Sequence, residues 1–220
     1  MLLRLEALIV RSLLQRTGKQ PQPVVRPPIA MDEPWRYRNH VQLHPDHQGR
    51  IGYYAVRSHD VVPVDKCLLA HPLLDELWGA LDIDVPELDT LSLRAGVATG
   101  DQMLLLEGRG DPPELQVDVP VSCLWRDGMG KVTVLAGGSC FYESLAGHLY
   151  RVSGPSFFQV NPLQAERLIG TLRRYLQLQP HETLLDAYCG VGTLAFSLAA
   201  QCREVIGIER SAWAMADAVA

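Results

Sequence analysis

Nothing in this 220-residue sequence approaches the unbroken apolar run of about 20 residues that a membrane-spanning helix needs. Cysteine is scarce and unpatterned. Five residues, an odd number without regular spacing, make no disulfide framework and lead us to expect a reducing, cytoplasmic setting. The N-terminal stretch MLLRLEALIVRSLLQR is interrupted by Arg4, Glu6 and Arg11, where a signal peptide would be uniformly apolar. Its leucines and isoleucine at positions 2, 5, 9 and 13 predict an amphipathic helix instead. Internal repeats and low-complexity tracts are missing too. What is present, 47% apolar and 20% charged residues, suits a folded protein of one large or two smaller domains.

The net charge of −5 argues weakly against a nucleic-acid partner, but that average conceals an asymmetry. Residues 1–60 hold nine Lys/Arg against five Asp/Glu, residues 61–120 three against twelve, and residues 121–220 eight against eight. Within the basic part, EPWRYRNHVQLH interleaves Trp35 and Tyr37 with Arg36, Arg38 and His40. Cations that seek phosphates and rings on which unpaired bases stack make Trp35, Arg36 and Arg38 candidate RNA contacts. The plainer alternative is a strand with its aromatics in the core and its arginines in water.

Glycine and proline punctuate the chain. The run TGKQPQPVVRPPIAMDEP must be an extended connector, with strands expected in YRNHVQLH, RIGYYAVR and DVVPV. HPLLDELWGAL reads as a helix starting at Pro72. TLSLRAGVA, QMLLLEG and KVTVLAG read as further strands, and strands without helical crossovers predict an antiparallel, α+β domain over residues 1–150.

From residue 151 the pattern changes. Asn161 followed by Pro162 is a strong helix start, predicting a helix to about Leu176 that buries Leu163, Leu168, Leu172 and Leu176 or their neighbours. TLLDAYCG is then a strand, GTLAFSLAAQC a helix and EVIGIE a second strand, the alternation of a parallel, doubly wound α/β sheet. Gly190 and Gly192 fall in the turn after the first strand, where missing Cβ atoms let a ligand approach the backbone. Glu209 closes the second strand 19 residues later, a place from which a carboxylate can accept hydrogen bonds from both ribose hydroxyls. Two readings stay open. GVGTLA satisfies a variant of the NAD fingerprint, whereas Asp186, four residues before Gly190, suits the cationic amino-acid part of S-adenosylmethionine better than a pyrophosphate.

SFFQVNPLQAERL, LLDAYCGVGTLAFSLA and VIGIE together resemble the RNA uracil-C5 methyltransferase family, which uses S-adenosylmethionine. EPWRYRNHVQL, GRIGYYAVRSHDVVPVDKCLLAHP, LSLRAGVATGDQMLLL and VTVLAGGSCFYESLAG agree in order, so the resemblance covers nearly the whole chain. It implies an RNA-binding central domain over 1–150 and, over 151–220, the first part of a Rossmann-like class I methyltransferase fold. It also implies a cofactor site made of Gln159, Asp186, Tyr188, Gly190, Gly192 and Glu209. Some relatives carry a cofactor-contacting asparagine where this chain has Thr193.

In many relatives acting on ribosomal RNA, the cysteine of VPVDKCLLAHP is the last of four thiolates holding a 4Fe-4S cluster. Here no cysteine precedes Cys67, and one thiolate cannot hold a cluster, so Cys67 would be a single remaining ligand of a longer protein. In the family a cysteine adds to C6 of uracil and a base later removes the C5 proton. By the resemblance both lie beyond Ala220, and Cys189 matches a cofactor-loop position rather than the nucleophile. The sequence therefore reads as part of an RNA uracil-C5 methyltransferase, its expected substrate 23S ribosomal rather than transfer RNA, lacking both ends and inactive alone. A silent RNA-binding module and an NAD-dependent oxidoreductase are the other readings.

Overall fold

A computed structural model describes residues 2–82, 85 and 87–220. Two compact units divide at Pro34 and Trp35. The first contains the expected helix, α1 (Leu2–Arg16), and the proline-rich extended connector. Of the anticipated stripe, Leu5, Ile9 and Leu13 are exposed, and the Leu2 side chain lies outside the described residues.

The second unit is built on a seven-stranded sheet. Its strands are β1 (His40–Pro45), β2 (Ile51–Tyr54), β3 (Val61–Pro63), β4 (Leu88–Ala95), β5 (Gln102–Gly108), β6 (Ser122–Arg126) and β7 (Val132–Ala136), in the order β3-β2-β1-β4-β5-β6-β7. Neighbours pair antiparallel, as expected, with one exception: β5 and β6 run parallel. Sequence reading missed β6. The connection from β5 contains no helix, the usual signal of a parallel step; instead Leu115 and Val117 of the intervening segment pack on the core.

Alternation along the strands gives the sheet two faces. Val41, Leu43, Leu91, Leu93, Leu104, Leu106, Cys123 and Trp125 fill one, covered by Leu74, Leu77 and Trp78 of α2 (Pro72–Gly79). This helix begins at Pro72 as expected, with the His71 ring capping the Leu73 amide at 3.3 Å. The opposite face is apolar where Met103, Leu105 and Leu124 meet the hairpin of β8 (Cys140–Leu145) and β9 (His148–Ser153). Beside that patch it is polar: His40, Gln42, Ser92, Arg94, Glu107 and Arg126.

The hairpin leads to α3 (Pro162–Leu176), whose Asn161 cap accepts a bond from the Gln164 amide at 3.1 Å. Its buried residues are Ala165 and Ile169, not the four leucines first in line; Leu163, Leu168 and Leu176 are exposed. The small Ala165 lets the helix approach its neighbours, and Arg173 reaches the Ser197 carbonyl at 2.7 Å. Next come β10 (Thr183–Ala187), α4 (Thr193–Ala199), β11 (Glu204–Ile208) and α5 (Ala212–Ala218). β10 and β11 are parallel, as the β-α-β pattern predicts. Residue 150, the expected domain boundary, lies inside β9. No helix among the described residues is long and apolar enough to cross a membrane.

Candidate functional site

The parallel pair ends in register, Asp186 beside Gly207 and Ala187 beside Ile208. At that edge the chain turns sharply. Tyr188 and Cys189 both donate to the Ile208 carbonyl, at 2.7 and 3.1 Å, and Tyr188 takes φ 67°, a left-handed conformation that costs a non-glycine residue roughly 1 kcal/mol or more. Gly190 (φ 58°) and Gly192 (φ 83°) continue the turn into α4. A Cβ on Gly192 would stand 2.3 Å from the Phe196 ring, so that glycine serves packing. One on Gly190 would meet nothing within 4 Å, so the loop is open to a ligand there.

Glu209 sits across this opening. Its Oε2 accepts from the Gly190 amide at 3.0 Å, and its Oε1 from the Arg210 and Ser211 amides, each at 2.7 Å. These bonds, Ser211 foremost and then Gly190, hold its carboxyl below the ordinary range, so it is ionised at neutral pH. Oε1 is filled by its two amides, whereas Oε2, with one, keeps a lone pair with which to accept from a hydroxyl. Asp186 is half-buried, with a buried Oδ2 that has no hydrogen-bond partner. Burial pushes its carboxyl up, partly offset by the Ala195 amide. A cationic donor satisfies such an oxygen. Tyr188 is 90% exposed over the loop.

Cys189 lies between the two acids. Burial first, then Asp186 and Glu209, push its thiol up, the reverse of what activates a nucleophile. Cys202, at the end of α4, lies against the carbonyls of Ala199 and Glu204 at 3.7 and 3.4 Å. Gln159 is half-buried on the segment before α3, and the adjacent Phe158 belongs to the same apolar cluster as Val191 of the loop. The Thr193 side chain is buried, and its carbonyl accepts from the Tyr150 hydroxyl at 3.1 Å.

Sequence reading missed a second feature. The polar half of the sheet face, together with Gly154, Pro155, Ser156 and Phe157, encloses a cavity of about 240 Å³. His40 Nε2 and Arg94 Nε are buried there without hydrogen-bond partners. Burial, then Arg94 and Arg38, lower the His40 pKa to about 4, so its ring is neutral at pH 7. The signal available in the sequence was the run of polar residues at alternate positions of β1, His40, Gln42 and His44, on a strand whose other positions are apolar.

The remaining candidates lie elsewhere. The segment of Trp35, Arg36 and Arg38 is not the strand of the plainer alternative; it forms one parallel bridge, Arg38 with Ala70, because its amides bond the Leu68 and Leu69 carbonyls. Arg36 (φ 55°) pairs with Asp75 at 2.6 Å, and the Arg38 guanidinium is 6.0 Å from the Tyr37 ring. Trp35 is exposed. Cys67 is half-buried and bonds the Tyr53 hydroxyl. No group of three or more His, Cys, Asp or Glu side chains placed to hold a metal occurs among the described residues. Cys123 is buried as a small core residue, while Cys140 is half-buried.

No protein-family model matches the chain. Curated relatives do. It is 30% identical, over 95% of its length, to an uncharacterized RNA methyltransferase of Halalkalibacterium halodurans, of which it covers 53%. It is 32% identical over 88% of its length to one of Enterococcus faecalis, covering 50% of it, and 31% identical over 96% to one of Thermosynechococcus vestitus, covering 55%. Among solved structures, the tRNA (uracil-54, C5)-methyltransferase of Pyrococcus abyssi, in complex with S-adenosyl-L-homocysteine, superposes with a TM-score of 0.68 at 24% identity, over 86% of this chain and 53% of that one. That likeness bears out the expected fold, a mixed α/β architecture of the uracil-methyltransferase type. The chain is thus similar to uncharacterized RNA methyltransferases along nearly all of its own length, and it spans about half the length of the curated relatives it matches.

Proposed function

We propose that this chain carries the cofactor loop and part of the RNA-binding surface of an S-adenosylmethionine-dependent RNA uracil-C5 methyltransferase. The observation that carries the reading is Glu209, an ionised carboxylate at the end of a parallel strand, bonded at 3.0 Å to the Gly190 amide of an open glycine loop. Glu209 Oε2 would accept from a ribose hydroxyl, Asp186 Oδ2 would take the ammonium of the amino-acid part, and Tyr188 and Gln159 would flank the ligand. The cofactor supplies the methyl group when bound. The cavity beside Phe157 has room for a nucleobase and offers it polar groups, among them the neutral His40 imidazole and the unused N–H of Arg94.

In this reading residues 1–150 form the RNA-binding part and 151–220 the beginning of the methyltransferase domain. The substrate is ribosomal RNA, on the strength of the VPVDKCLLAHP segment, whose Cys67 would be one ligand of a 4Fe-4S cluster that the described residues do not themselves complete. The five free thiols suit the cytoplasm. Transfer requires an activated nucleophile, and Cys189, its thiol pushed up by two carboxylates, is not one; the chain alone therefore binds without methylating.

Calorimetric titration with S-adenosylhomocysteine and, separately, NAD tests the site. Binding of the first but not the second is expected; the reverse makes the loop a dinucleotide site. Incubation with radiolabelled S-adenosylmethionine and unmodified ribosomal or transfer RNA should give no incorporation, and incorporation lost in Cys189→Ala would overturn the assignment of that cysteine. A gel-shift preference for transfer RNA would overturn the ribosomal assignment.

A further inference from the structure

The turn at residues 153–156, which walls the cavity and leads into Phe157 and Gln159, is gripped from both sides. From β4, Arg94 donates to the carbonyls of Ser153 (3.2 Å), Gly154 (2.5 Å) and Ser156 (2.6 Å). From α5, Asp217 accepts from the Ser153 amide (2.8 Å), the Ser153 hydroxyl (2.6 Å), the Ser156 hydroxyl (2.5 Å) and the Arg151 guanidinium (2.5 Å). Both charged residues are buried, at 3% and 5% exposure. Burying a carboxylate is unfavourable unless its lone pairs are filled, and here four donors fill them; apolar side chains of similar volume would hold α5 down as well without fixing any direction.

What the network fixes is the relation between two parts of the site. α5 starts directly after Glu209: Ser211 caps it by accepting from the Ala214 amide at 3.3 Å, and the Ser211 amide itself bonds Glu209. Seven residues make the helix, so its first end carries the Glu209 turn and its last turn carries Asp217. The geometry points to Asp217 as a positioning residue: through Ser153 and Ser156 it sets the path of the Phe157–Gln159 segment relative to the Glu209 loop, so that the cofactor side and the cavity side of the site are held as one piece. This inference rests on the proposed cofactor site, and it assigns a role to a residue that touches neither ligand.

The test compares the parent chain with Asp217→Asn and with Ser156→Ala, which deletes a single hydroxyl. Amide hydrogen exchange is followed by segment, alongside S-adenosylhomocysteine titration. Exchange over residues 153–160 should quicken in both variants while β4 and β5 keep parent rates, and affinity should fall roughly tenfold in Asp217→Asn and less in Ser156→Ala. Exchange that rises evenly across sheet and segment, or a segment unchanged in both variants, would make Asp217 a general structural anchor and overturn the inference. If Asp217→Asn does not fold, Ser156→Ala decides by the same criteria. A parent that binds no S-adenosylhomocysteine defeats the cofactor reading, and the exchange pattern then decides by itself whether Asp217 orders the segment.

Discussion

β5 and β10 are both short, leucine-rich strands, yet they live in opposite surroundings. Met103, Leu104, Leu105 and Leu106 of β5 are all buried, covered by α2 on one face of the sheet and by the β8–β9 hairpin on the other. In β10 and its partner β11, Leu185, Ile206 and Ile208 are 58%, 45% and 55% exposed. Burial from both sides makes β5 a member of the core, whereas β10 and β11 are shaped by their register and by the loop they present. One region holds the molecule together, and the other holds the glycine turn and Glu209 in place for a ligand.

Substitutions can break or sharpen this contrast. The largest effect is expected at Leu106→Ala, which removes a fully buried side chain and should cost about 2–5 kcal/mol in urea unfolding. Leu185→Ala, by the same assay, should stay within about 0.5 kcal/mol; equal costs would erase the distinction between the regions. His40, on the polar side of the covered sheet, ties stability to pH. Its folded pKa is about 4 against an ordinary value of 6.5, so the unfolded chain binds the extra proton between those values. The contribution is full above pH 6.5 and declines as pH falls towards 4, by up to about 3 kcal/mol. His40→Gln should flatten that part of the unfolding profile.

Within the loop, Gly192→Ala meets both a left-handed φ and the Phe196 ring and should cost about 1–3 kcal/mol. Gly190→Ala meets open space and should cost about 1 kcal/mol of stability. Its larger consequence should be on S-adenosylhomocysteine affinity, since the added methyl projects where the ligand approaches. The smallest effect concerns RNA binding. Arg38→Ala should lower the salt slope by up to about one unit, and Arg36→Ala by less, because its charge is already committed to Asp75. Identical slopes for parent and both variants would remove the pair from the RNA surface.

Local chemistry was legible in the sequence. Pro72, Asn161 and Pro162 announced α2 and α3, and the alternation of TLLDAYCG, GTLAFSLAAQC and EVIGIE announced two parallel strands around a helix. Features that depend on distant partners were not. β6 joins the sheet parallel to β5 without a crossover helix, and β8 and β9 find each other through a two-residue turn at Ala146 and Gly147 that carried no strand pattern we recognised. Arg94, in LSLRAG, carries no local sign of burial; the carbonyls that satisfy it lie about sixty residues away. Asp217 is invisible for the same reason, because its four donors all belong to residues 151–156. The leucines of α3 misled because periodicity marks a stripe but not which side of it finds a partner.

The most direct measurement is calorimetric titration of S-adenosylhomocysteine into the parent chain and into Glu209→Ala, with thermal melting of both as a control. The account predicts binding by the parent and an affinity about tenfold or more weaker in the variant, while the melting temperatures show separately what loss of the three amide bonds costs the fold. Equal affinities for parent and variant would contradict it, by removing Glu209 from the site on which the functional reading stands.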